Sequence, residues 1–118
     1  MTAFELIDDL NKYNQDLIIQ FDFGGYPNYI DSWRGSYNTP SIFWKMEDYI
    51  KLTVKQFINM LNKIDGMTVT GYKGGDFILL GTDDIHLSYN FGDYTLCIIE
   101  SISKENNSII LHTKYKGN

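Results

Sequence analysis

Apolar residues along the chain follow two periods, and the change from one to the other falls near its middle. At the start, Phe4, Leu6, Ile7 and Leu10 recur at helical spacing. Thr2 and Glu5 open this run in a Thr-x-x-Glu arrangement, in which a hydroxyl and a carboxylate each satisfy the other residue's backbone N–H. The spacing predicts a helix of roughly three turns, ended by Asn14 and the polar residues after it. Leu17–Phe23, LIIQFDF, reads as a buried first strand, stopped by Gly24, Gly25 and Pro27. Residues 28–45 read as extended and aromatic, with a break at Thr39-Pro40. A second helix begins near Thr53, where Thr53 and Gln56 repeat the capping pattern. Val54, Phe57, Ile58, Leu61 and Ile64 form its apolar stripe, and Asp65-Gly66 closes it.

After Gly66 the period becomes two. Met67–Thr70 and Asp76–Leu80 flank a glycine-rich turn, Ile85–Phe91 and Tyr94–Ser101 flank Gly92-Asp93, and Ile109–Lys116 follows Asn106-Asn107. Paired runs joined by such dipeptides predict β-hairpins. The expected fold is therefore α+β: an antiparallel meander with two helices packed on one face, in a single domain spanning residues 1–118.

Composition narrows the function. With 43% hydrophobic and 15% aromatic residues, the 118-residue chain can bury one core, and disorder is excluded. The net charge of −5 and pI near 4.8 argue against duplex nucleic acid, which needs a surplus of cations. Cys97 is alone in the apolar run Leu96–Ile99, so no disulfide framework exists. No signal peptide or membrane-length apolar run is evident, and a cytoplasmic location is expected.

Four features carry candidate chemistry. The first is YIDSWRGSY at 29–37, which holds the only arginine, Arg34, between Trp33 and Gly35. A guanidinium offers a planar fork of donors suited to paired phosphate or carboxylate oxygens, and it stacks on flat rings. Either it recognises such a ligand or it forms a structural ion pair with Asp22 or Asp31. The second is TGYKGGD at 70–76, where Gly74 and Gly75 beside Lys73 can expose backbone N–H groups to an anion, or simply close a hairpin. The third is DDIH at 83–86, which lacks any metal-ligand spacing; no metal or cofactor is expected. The fourth is the aromatic series Phe77, Tyr89, Phe91 and Tyr94. It forms either a stacking wall for a purine, with Asn90 reading a base edge or ribose hydroxyl, or a cross-strand core cluster. No nucleophile with its base can be assembled, so a catalytic site is not expected.

The stretches FDFGGYPNYIDSWRGSY and TVKQFINMLNKIDGMTVTGYKGGDF, followed by YNFGD, together resemble a group of small phage proteins. That group is similar to the first type of Thoeris anti-defence protein, over roughly residues 17–100. The resemblance implies a sponge that binds a cyclic ADP-ribose isomer signal, in some members also cyclic oligonucleotides, and holds it without cleavage. It also implies a homo-oligomer, a dimer or a larger dimer-based assembly, with pockets near subunit boundaries. The positions it points to are Trp33, Arg34, Lys73, Phe77 and Asn90. The chain departs from this pattern after residue 100, where no arginine occurs; Lys114 or His112 would have to replace one. A sponge needs stacking surfaces and phosphate donors but no nucleophile. Two other readings stay open: an acidic, aromatic inhibitor of a host immune nuclease or effector, and an enzyme that degrades the signal through His86 and Asp84.

Overall fold

Both capping patterns close in the structure. The computed structural model describes residues 1–46, 51–71, 73–89 and 93–116. Helix α1 spans Ala3–Leu10, with Glu5 N–H donating to the Thr2 hydroxyl at 3.2 Å and Thr2 N–H donating to the Glu5 carboxylate at 2.9 Å. Helix α2 spans Val54–Leu61, and Thr53 and Gln56 exchange the same two bonds at 3.2 and 3.0 Å. Each cap contributes about 1 kcal/mol. Helix α1 is shorter than its apolar spacing suggests, because Asn11 already caps its C-terminus.

Among the described residues there are eight strands, three between the helices and five after α2: β1 Ile18–Phe21, β2 Tyr26–Trp33, β3 Ser36–Lys45, β4 Thr68–Thr70, β5 Asp76–Ile78, β6 His86–Tyr89, β7 Asp93–Glu105 and β8 Ser108–Tyr115. Six of them form one sheet in the order β1-β8-β7-β6-β3-β2, and β4-β5 form a separate two-stranded sheet. The main sheet is mixed, which corrects the expected all-antiparallel meander: β1 pairs with β8 and β3 with β6 in parallel. Parallel neighbours need a long connection. The segment carrying α2 and the small sheet supplies it between β3 and β6. The three expected hairpins of the second half form at β4-β5, β6-β7 and β7-β8.

Residues 28–45 also differ from expectation. They make most of a long hairpin, and Pro40 sits inside β3, opposite Ser32, where a break was expected. Proline has no N–H to donate to a ladder. Here the ladder itself shifts: Ser32 faces Pro40, yet Trp33 faces Ser36. Residues 37–39 thus leave the β2 ladder and turn toward the small sheet.

The core lies between the helices and one side of the main sheet. Register places Ile42 beside Leu87, Ile19 beside Ile109 and Phe21 beside Leu111, and all six are essentially fully buried. They meet Leu6 and Leu10 of α1 and Val54, Phe57 and Leu61 of α2. The other side of the sheet is polar where it is buried. Ser41, His86 and Ser88 are all shielded there, and the hydroxyls of Ser41 and Ser88 share a hydrogen bond of 2.7 Å. Ser88→Ala is expected to cost about 1–3 kcal/mol by leaving the Ser41 hydroxyl buried without this partner. The double variant Ser41→Ala/Ser88→Ala should cost less than the two single changes summed, measured by urea unfolding; strict additivity would contradict the pairing.

Candidate functional site

The lone arginine occupies a turn. Trp33 and Ser36 face each other across the ladder, and Arg34-Gly35 is the two-residue connection between β2 and β3. Such short hairpin loops require positive φ, which Gly35 supplies at +108°. Arg34 is exposed at this tip. Of its two suggested structural partners, Asp22 receives the backbone N–H and the hydroxyl of Thr113, each at 2.9 Å, and Asp31 receives the N–H of Ser32 at 2.7 Å.

Trp33 points back across the sheet. Its indole N–H donates to the carbonyl of Thr95 at 3.0 Å, and its ring stacks on His86 with centroids 4.5 Å apart. It therefore forms a plate over the polar side of β3, β6 and β7.

The TGYKGGD stretch is the hairpin between β4 and β5. Thr70 faces Asp76, Gly71 N–H donates to the Gly75 carbonyl and Gly74 N–H to the Gly71 carbonyl, each at 2.9 Å. Gly74 and Gly75 hold φ of +89° and +82°. The amides of Gly71 and Gly74 serve the turn, so an anion arriving here meets the exposed Lys73 ahead of them. Phe77 lies over Gly71 so closely that a methyl there would fall 2.7 Å from its ring.

The structure brings these two hairpins together. Just past the Arg34 turn, the Tyr37 ring meets Phe77 with centroids 4.9 Å apart. Next to it the Asn38 side-chain amide donates to the Ile78 carbonyl at 2.8 Å, and Leu80 N–H donates to the Asn38 carbonyl at 3.0 Å. The small sheet is thus docked on the shifted start of β3. The expected aromatic wall does not form as drawn: Phe77 belongs to the small sheet, whereas Tyr89 stacks on Trp44 at 4.5 Å in the main one. Asn90 and Phe91 lie outside the described residues. A chain of rings continues from Trp44 to Phe23 and on to Phe21.

Beside the Trp33 plate is a cavity of about 260 Å³, lined by Thr39, Thr82, Asp83, Asp84, His86 and Lys116. The DDIH stretch forms much of its wall, because it leads into β6. Asp84 faces the ammonium of Met1 at 3.3 Å and Nζ of Lys116 at 3.7 Å, and the Thr39 hydroxyl donates to Asp83 at 3.4 Å. Asp83, Asp84 and His86 do not form a metal-ligand group, and no cluster of three such residues exists among those described. His86 Nδ1 lies 3.2 Å from the Asp84 carbonyl, which can only accept, so the proton of the neutral ring sits on Nδ1.

Burial lowers the His86 pKa below its ordinary 6.5, with Lys116 pushing the same way against the Asp84 carbonyl and the two aspartates. The unfolded chain then takes up this proton first as pH falls. The stabilisation is complete above 6.5 and is lost on descending through the folded pKa. The melting temperature should therefore fall with acidification below that point, and His86→Gln should flatten the dependence; an unchanged slope in the variant would contradict the assignment.

Comparison of the chain with models of protein families, with curated proteins and with solved structures returns no match. Among the described residues no helix is long and apolar enough to cross a membrane.

Proposed function

We propose that the protein binds a small cyclic nucleotide signal of the cyclic ADP-ribose isomer class and holds it without cleaving it, as a phage anti-defence sponge working in the host cytoplasm. The observation that carries this reading is the docking of the two glycine turns through Tyr37 and Phe77, which sets the cations Arg34 and Lys73 on neighbouring hairpins. Exposed cations beside flat rings are what a pyrophosphate linked to a purine requires. The sequence resemblance supplies the ligand class and the expectation of a homo-oligomer. Holding is favoured over cleavage because Asp84, the carboxylate nearest His86 in sequence, already faces two cations, and the Trp33 ring covers His86. The test is to incubate the protein with the cyclic ADP-ribose isomer, remove it, then denature it and follow the ligand by mass spectrometry.

One observation favours a protein-binding role instead. Phe23, Met46 and Tyr89 are 41, 54 and 40% exposed around Trp44, an apolar strip of the kind that contacts partners. A co-purifying host effector, with no small-molecule binding by calorimetry, would select that reading.

A further inference from the structure

The cavity beside Trp33 has no part in the hairpin reading, and its own chemistry specifies a ligand. Its two carboxylates stand against two cations, both of them on Asp84, which faces the Met1 ammonium and Lys116, while Asp83 accepts from the neutral Thr39 hydroxyl. A cation would meet Lys116, and an anion would meet two aspartates, so an uncharged ligand is favoured.

His86 supplies the second observation. It is 7% exposed, with its Nδ1 on the Asp84 carbonyl. Among the described residues its Nε2 has no hydrogen-bond partner, yet no buried side-chain nitrogen or oxygen there is left without one. Nε2 is therefore accessible, and its ring lines the cavity. With the proton on Nδ1, Nε2 is an acceptor lone pair. Asp83 and Nε2 both require donors from the ligand, while the hydroxyls of Thr39 and Thr82 and the ammonium of Lys116 complete a ring of mixed partners. The volume, just under the range of about 300–1,000 Å³ typical for drug-sized ligands, suits a single sugar ring.

We infer that this cavity binds an uncharged polyol of the pentose or hexose type, with a vicinal diol donating to Asp83 and to Nε2 of His86. The inference stands apart from the hairpin site and does not depend on it.

The test uses the full-length, isotopically labelled chain and methyl β-D-ribofuranoside, with its 2-deoxy analogue and inorganic phosphate as controls. Magnetic resonance should show saturable shifts of the His86 imidazole and the Trp33 indole N–H with the riboside, at an affinity in the millimolar range. Binding should weaken about fivefold or more with the deoxy analogue and in Asp83→Asn. Should that variant fail to fold, Thr82→Ala, at an exposed position, makes the same comparison. Absence of a saturable shift, equal response to both sugars, or a response to phosphate alone would overturn the inference. Arg34→Lys should leave these shifts unchanged, which separates this site from the hairpins.

Discussion

Trp33→Ala is expected to destabilise the protein by about 2–4 kcal/mol, the range for truncating a large, partly buried aromatic. Three losses combine. The Thr95 carbonyl loses the indole donor at 3.0 Å, the ring leaves His86 uncovered, and apolar contact across β3, β6 and β7 disappears. A second readout distinguishes this from generic damage. With the plate gone, water reaches His86, and its pKa should return toward 6.5 because burial was the main cause of its depression. The variant should thus be less stable overall but flatter with pH on the acid side. Trp33→Phe keeps a smaller stacking ring and loses the indole hydrogen bond, so it should cost less than Trp33→Ala. A fully stable Trp33→Ala that no longer binds ligand would instead make Trp33 a ligand contact.

Arg34→Lys should weaken binding of the cyclic ADP-ribose isomer at least about tenfold, equivalent to roughly 1.4 kcal/mol, with the melting temperature measured alongside to separate binding from folding. The charge is retained, so any loss measures the planar fork and its capacity to stack. Arg34 is exposed at a turn whose geometry depends on Gly35. Arg34→Ala should lose about a hundredfold, since both charge and fork are removed. Calorimetry on each variant reads the difference directly. Equal affinity of wild type and Arg34→Lys would rule out a bidentate or stacked role.

The elements fixed by local chemistry were legible in the residues. Thr2 with Glu5 and Thr53 with Gln56 announce both helix starts, and Asn106-Asn107 announces the β7-β8 turn, where Asn106 takes φ of +52°. What local chemistry does not encode is which strands become neighbours. The parallel pairs β1-β8 and β3-β6 join distant segments without any turn between them. Pro40 was misleading for a related reason: a proline predicts a break unless the ladder happens to shift beside it, and that shift depends on the docking of the small sheet. At the candidate site, Arg34 and the TGYKGGD loop stood out as motifs, but their meeting through Tyr37 did not, because Tyr37 has no distinguishing pattern. Trp33 was visible as an aromatic beside arginine; that its ring turns inward onto His86 follows from strand parity and the place of β6 in the sheet. The cavity was foreshadowed by DDIH, while Thr39 comes from β3 and Lys116 from just past β8, and only the fold places them there.

The proposed function is capture of a cyclic nucleotide signal and its return unchanged. The most direct measurement is ligand recovery: incubate stoichiometric protein with the cyclic ADP-ribose isomer, quantify free ligand, then heat-denature and quantify again. Depletion before heating and recovery of intact ligand afterwards are expected, with depletion much reduced for Arg34→Ala. No depletion before heating, or release of a linear product, would contradict it.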